Sequence, residues 1–329
     1  MLNFDTLKKR VFSINNEDSF SSVALDLFEL HKKHNPIYRE FIFSLPEAFQ
    51  KPDSYKQIPC LPIELFKSRK ILLDDQETLI EFKSSGTTGS IQSVHHVSDP
   101  NWYLENSKGI FTSFYGDIND YCILALLPSY LEREGSSLVF MAKELIEESK
   151  HAMSGFYLAD LEQLHQHLLT LKKQKQKTIL LGVSFALLDF AEKFKIDFPE
   201  LIVMETGGMK GQRKELIREE LHQILKNSFG VSSIHSEYGM TELFSQAYSA
   251  KEGQFQTAPW MKVIIRDSND PFAFLKENEV GGMNILDLAN IYSCPFIATQ
   301  DLGKISEQGL EILGRFDNSD IRGCNLLAV

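Results

Sequence analysis

Between residues 121 and 236 short apolar runs alternate with amphipathic stretches, which predicts an α/β fold built on a doubly wound, mostly parallel sheet. Beyond Trp260 the helical period fades and Met261–Arg266, 283–288 and 291–297 read as strands, adding a β-rich region from about residue 260. The first 79 residues mix helical stretches with a proline-punctuated run. They are expected to form an N-terminal helical segment packed on a main domain of residues 80–329.

In the N-terminal segment the helical stretches are 23–33 and 37–43, and Ile58-Pro59-Cys60-Leu61-Pro62 breaks the pattern because proline removes a backbone donor. In the main domain, 121–127, 178–183, 201–205 and 232–236 are the expected strands. Residues 139–148, 161–172, 186–194 and 214–226 are the expected helices. Ligands on such sheets bind beyond the carboxyl ends of the strands, so the residues after each run carry the functional signal.

Composition excludes some classes. In 329 residues, 45 Asp and Glu face 34 Lys and Arg for a net charge of −11, spread along the chain. A protein that neutralises nucleic-acid phosphates needs a basic face, so no nucleic-acid partner is expected. A local nest of amides can still hold one nucleotide. The four cysteines, Cys60, Cys122, Cys294 and Cys324, lie far apart without zinc-site spacing, which suits a reducing, cytoplasmic setting. The start of the chain lacks signal-peptide form, and the apolar runs 121–127 and 178–191 fall short of the roughly 20 apolar residues of a spanning helix, so no transmembrane segment is expected.

Four segments carry chemistry. The strand-like run 78–82 leads into Lys83-Ser84-Ser85-Gly86-Thr87-Thr88-Gly89-Ser90, where glycines free the backbone to wrap an anion and hydroxyls supply donors. It is not a Walker loop, because Gly-Lys-Ser/Thr is absent; a polar surface turn is the plainer alternative. Further on, Glu237-Tyr238-Gly239-Met240-Thr241-Glu242 offers an aromatic to stack a base, a glycine for close approach and a carboxylate for Mg²⁺. Near the end stand Thr299-Gln300-Asp301 and Gly314-Arg315-Phe316-Asp317, whose carboxylate and guanidinium suit ribose hydroxyls or phosphate oxygens.

In this order the segments resemble the adenylate-forming superfamily of acyl-CoA synthetases, luciferases and peptide-synthetase adenylation domains. The resemblance implies ATP and Mg²⁺ as cofactors. It implies phosphate contacts for Ser84, Ser85, Gly86, Thr87, Thr88 and Gly89, with Thr88 also catalytic, and an adenine pocket lined by Gly207, Gly208, Tyr238, Gly239 and Thr241. Glu242 would hold the metal, and Asp301 with Arg315 the ribose. Two departures stand out: Ser90-Ile91 replaces the usual Pro-Lys, and the sequence stops at Val329 where the family adds a mobile C-terminal domain bearing a catalytic lysine.

These departures, with Leu127-Pro128-Ser129-Tyr130-Leu131-Glu132-Arg133 and Glu205-Thr206-Gly207-Gly208, resemble the acyl-protein synthetase of the bacterial luminescence fatty-acid reductase complex, the LuxE type. That resemblance implies a fatty acid as the carboxylic acid substrate, Cys324 as acyl carrier and a fatty-acid reductase as partner. Two rival readings remain: a phenylacetate-type ligase using free coenzyme A, and a non-catalytic nucleotide-binding subunit. Weaker candidates are His95 or His96 near the reacting carboxylate, with at most one acting because neighbours on a strand face opposite ways. His235 is a candidate for the acyl pocket, Lys210 and Arg133 for the missing lysine. Trp102, Tyr103, Phe111, Phe114 and Tyr115 can line an acyl channel or simply pack in the core.

Overall fold

The computed structural model describes residues 3–85, 91–127, 135–157, 160–207, 216–251 and 253–316. They fall into two compact units. One joins the N-terminal 77 residues to the chain from Thr257 onward, and the other runs from Thr78 to Gln256.

Three helices open the first unit: α1 (Phe4–Phe12), α2 (Glu17–His34) and α3 (Pro36–Ser44). A reciprocal capping box starts α2, in which the Asn16 side chain accepts from Ser19 N and the Ser19 hydroxyl accepts from Asn16 N. Asn35 caps α3 through Ile37 N and Tyr38 N, with Pro36 where a missing N–H costs nothing. The proline-rich run yields the short strand β1 (Leu61–Pro62).

The second unit begins with an antiparallel pair, β2 (Ile80–Lys83) and β3 (Val94–Val97), followed by α4 (Pro100–Tyr115). Strands and helices then alternate: β4 (Cys122–Leu126), α5 (Ser137–Ser149), β5 (Gly155–Phe156), α6 (Leu161–Gln174), β6 (Thr178–Val183), α7 (Ser184–Lys193), β7 (Ile202–Thr206), α8 (Arg218–Phe229) and β8 (His235–Tyr238). The five strands are parallel in the order β5-β4-β6-β7-β8, and β9 (Ala247–Ser249) adds antiparallel to β8. Every residue of β4 and β6 is buried, as expected of strands covered on both faces by helices. The fold is therefore α/β with a mostly parallel sheet, as the alternation predicts.

After β10 (Gln254–Thr257), the first unit resumes with β11 (Met261–Arg266), β12 (Gly281–Asp287), β13 (Phe296–Ser306) and β14 (Gly309–Arg315). These last four pair antiparallel in chain order, while β1 runs parallel to β13 through Leu61 and Ile297. The strand expected at 291–297 is corrected: Ile291 to Pro295 form a buried loop, and the strand starts at Phe296. Its carbonyls are satisfied from scattered places instead of a ladder. His31 Nε2 donates to Ile291, Leu73 N to Tyr292, Asn35 Nδ2 to Ser293, Asn290 Nδ2 to Cys294 and Asp287 N to Pro295. Among the described residues no helix is long and apolar enough to cross a membrane.

His31 is wholly buried in this unit, and burial drives its pKa down to about 3, with the Ile291 carbonyl opposing. The unfolded ring titrates near 6.5, so the stabilisation from the neutral ring is complete above that pH and is lost as pH falls toward 3. The urea midpoint should decline below about pH 6.5. His31→Ala should cost about 2–4 kcal/mol at neutral pH by leaving a buried carbonyl unpaired, and should flatten that acid slope. An unchanged slope in the variant would assign the acid sensitivity elsewhere.

Candidate nucleotide and acyl-transfer site

The Ser/Thr/Gly loop leaves the second unit between β2 and β3, and its two ends are fastened together. Ser84 N donates to Ser93 O at 3.0 Å, Ser93 N to the Ser84 hydroxyl at 2.9 Å, and Gln92 Nε2 to Ser84 O at 2.8 Å. Lys83 N donates to Gly135 O, tying the same point to the start of α5. Ser84 is half-buried and Ser85 exposed, whereas Gly86, Thr87, Thr88 and Gly89 lie outside the described residues. The loop joins strand to strand, unlike the strand-to-helix setting of a Walker loop.

Two residues after Ser93, His95 is fully buried and its Nδ1 stands 2.8 Å from Thr241 O. Only an N–H can serve that carbonyl, so Nδ1 carries the proton. The ring also lies 5.5 Å from Phe244. His96 faces the other way, toward Thr78 and Glu81, in keeping with strand alternation. From α4, Asn106 Nδ2 donates to Phe244 O at 2.8 Å and to the Ser245 hydroxyl at 3.2 Å. The chain on either side of Glu242 is thereby held from β3 and from α4, and Glu242 itself is buried.

The carboxyl ends of β7 and β8 form the neighbouring wall. Thr206 pairs in register with Glu237, and its Oγ1 lies 2.5 Å from Glu237 Oε2. Burial raises the Glu237 pKa to about 7; the Thr206 hydrogen bond opposes this and the neighbouring Glu205 charge adds to it. Ser184, first residue of α7, donates to Gly207 O at 2.7 Å and contacts Glu205 Oε2 at 3.2 Å. Gly207 needs its freedom, having φ of 65°. Tyr238 ends β8 half-buried with its ring edge-on to Phe255, so the strand runs two residues further than the sequence pattern places it. Gly208 and Lys210 lie outside the described residues.

In the first unit, Asp301 and Arg315 are cross-strand partners on β13 and β14, with Arg315 Nε 3.1 Å from Asp301 Oδ1. The carboxylate is buried and the arginine largely exposed, so the pair offers an oriented acceptor behind a movable donor. Asp317 and Cys324 lie outside the described residues, as does Arg133.

No known protein-family profile matches the chain, and no curated protein matches it. Solved structures do. A 2-hydroxyisobutyryl-CoA ligase in its postadenylation state with 2-HIB-AMP matches at TM-score 0.67 and 13% identity, over 94% of this chain and 70% of the other. ATP-bound MatB from Rhodopseudomonas palustris matches at 0.56 and 17%, over 73% and 48%. O-succinylbenzoate coenzyme A synthetase (MenE) from Bacillus subtilis, with ATP and a magnesium ion, matches at 0.50 and 16%, over 73% and 50%. The chain shares its fold with these three proteins. It spans about half the length of MatB and of MenE.

Among the described residues no group of three His, Cys, Asp or Glu side chains could hold a metal by itself. Glu242 instead fits Mg²⁺ that arrives with phosphates, since that ion commonly takes one or two carboxylates and completes its shell with phosphate oxygens and water. Burial pushes the thiols of Cys60 and Cys122 up to about 12 and about 11, and raises Cys294 as well, so none of the three is poised as a thiolate. The aromatic stretch on α4 packs as core: Tyr103 meets Phe82 and Phe244, and Phe111 meets Tyr248. His235 is half-buried, is joined to the Tyr115 hydroxyl at 3.1 Å, and has its pKa lowered by burial. Sequence spacing does not single out Asn106 or Ser184, because what they serve is a carbonyl or carboxyl far along the chain.

Glu237 sets a pH signature. Its unfolded carboxyl ionises near 4.5 and the folded one near 7, so the stability present below pH 4.5 is lost as pH rises toward 7. Glu237→Gln, which cannot ionise, should therefore gain stability relative to wild type at about pH 8, by up to about 3 kcal/mol, and little at about pH 5. Urea unfolding at the two pH values checks this; an equal difference at both would locate the titrating group elsewhere.

Proposed function

We propose that the chain activates a carboxylic acid with ATP and Mg²⁺ as an acyl-adenylate, and passes the acyl group through Cys324 to a fatty-acid reductase. The observation that carries the reading is the His95–Thr241 hydrogen bond, which braces the base of the Ser/Thr/Gly loop against the Tyr238-Gly239-Met240-Thr241-Glu242 segment across 146 residues of chain. The fold shared with ATP-bound MatB and with a coenzyme A synthetase holding ATP and magnesium supports it.

In this reading the loop amides, Thr87 and Thr88 receive phosphate oxygens, Tyr238 stacks on adenine, and Gly207, Gly208, Gly239 and Thr241 belong to the adenine pocket. Asp301 accepts the ribose hydroxyls and Arg315 contacts ribose or phosphate. Glu242 holds Mg²⁺, which would neutralise charge on the phosphates. A carboxylate resists nucleophiles because it is anionic and would have to expel oxide. Its oxygen attacks the α-phosphorus, the bond to pyrophosphate breaks, and the mixed anhydride then has AMP as a leaving group. Donors already oriented toward the reacting oxygens, Thr88 among them, lower that barrier without reorganising. The Cys324 thiolate next attacks the acyl carbon, forming a thioester and releasing AMP. His95, fastened to the Thr241 carbonyl, acts by fixing that wall.

The fatty acid, the acyl-protein route and the reductase rest on the LuxE-type resemblance. Transfer to free coenzyme A is the second reading, favoured by the CoA-ligase likenesses, one of which binds both an acyl-AMP and CoA.

Glu242→Ala should lower carboxylate-dependent pyrophosphate exchange by about 100-fold. Cys324→Ser should leave exchange intact and abolish the acyl-enzyme seen by intact mass after incubation with ATP, Mg²⁺ and labelled fatty acids. Thioester formation on added coenzyme A by Cys324→Ser would decide for the second reading, and absence of exchange in wild type would remove both.

A further inference from the structure

One buried group in the second unit has no part in the reaction scheme above. Glu237 lies at the end of β8, 8% exposed, immediately before Tyr238. One carboxyl oxygen is clamped at 2.5 Å by the Thr206 hydroxyl. The other occupies the space over Gly239: a Cβ built there would stand 2.7 Å from Glu237 Oε1, and the nearest atom of any other residue would be Gln246 Cγ at 3.5 Å. The Gly239 backbone is not in the left-handed region, so what a side chain at position 239 would meet is this carboxyl oxygen, which would have to shift, and no backbone strain.

We propose that Glu237 is a positioning residue for the nucleotide, its carboxyl held by Thr206 on β7 and filling the space over Gly239 so as to support the turn that presents Tyr238 to the base. The inference rests on the reading of Tyr238 as the adenine platform. The groups facing this carboxyl are Glu205 on β7, Tyr115 on α4 and Tyr248 on β9, and both phenols are kept protonated by burial. His235 precedes it on β8, and burial lowers its pKa. Among the described residues no cation pairs with Glu237. It is therefore a neutral clamp in mildly acidic solution, and ionising it places a negative charge beside a segment that must receive a polyanion.

The test is calorimetric titration of the full chain with Mg-ATP, with circular dichroism confirming the fold of each variant. Glu237→Ala should weaken binding by about 10-fold, while Glu237→Gln, which keeps shape and hydrogen bond, should stay within about threefold of wild type at about pH 6. Wild-type affinity should fall between about pH 6 and about pH 8, and that of Glu237→Gln should not. Gly239→Ala should cost about 10-fold alone but under about threefold in the Glu237→Ala background, because the atom it strikes is gone. Wild-type affinity in Glu237→Ala, or strict additivity of the two substitutions, overturns the positioning role. Should Gly239→Ala fail to fold, the alanine and glutamine variants at 237 decide. A wild type that binds no Mg-ATP removes the adenine reading itself, and this inference with it.

Discussion

One hydrogen bond carries much of the second unit's organisation: His95 Nδ1 to the Thr241 carbonyl. A two-stranded ribbon such as β2 with β3 is marginal alone, since it lacks neighbours to share its ladder. Here it is fixed from one side by Phe82 against Tyr103 and Phe140, and from the other by a buried imidazole whose Nδ1 serves the Thr241 carbonyl. Breaking such a contact leaves both partners desolvated and unpaired, which costs more than the bond's modest net contribution. The loop carried by the ribbon therefore springs from a base whose position is fixed by the segment containing Glu242.

The neighbouring wall is built from costlier material. Glu205 and Glu237 bring two carboxyl groups into the interior on adjacent strands, where a second negative charge is disfavoured. Ser184 and Thr206 spend their hydroxyls on these groups and on Gly207 O, and no side chain caps the N-terminus of α7. Polar groups held this way lock rotamers and leave few alternative packings. The proposed platform of Tyr238 and Gly239 would gain from that rigidity.

The sequence made the parallel layer readable because period and burial coincide there: β6 is an uninterrupted apolar run and spans Thr178–Val183 as expected. Where the two part company, the reading slips. Residues 291–295 are as apolar and as buried as a strand, yet their carbonyls are met by His31, Asn35, Leu73, Asn290 and Asp287, partners that no local pattern reveals. The same limit governs the site. Tyr238, Glu242, Asp301 and Arg315 stand out because their types and order are unusual, whereas Asn106 and Ser184 look like ordinary polar residues until the fold brings a distant carbonyl or carboxyl to them.

The helices at the start of the chain and the strands near its end complete one another, with His31 reaching Ile291 across 260 residues. The second unit is one continuous stretch from Thr78 to Gln256 and has its own parallel sheet. During synthesis it can therefore close while α1 to α3 are still waiting for β12 and β13 to be made, their apolar faces uncovered. Non-local closure of this kind is slow and exposes surface meanwhile. The segment bearing α1 to α3 thus stays open to aggregation until the strands that follow Thr257 are made.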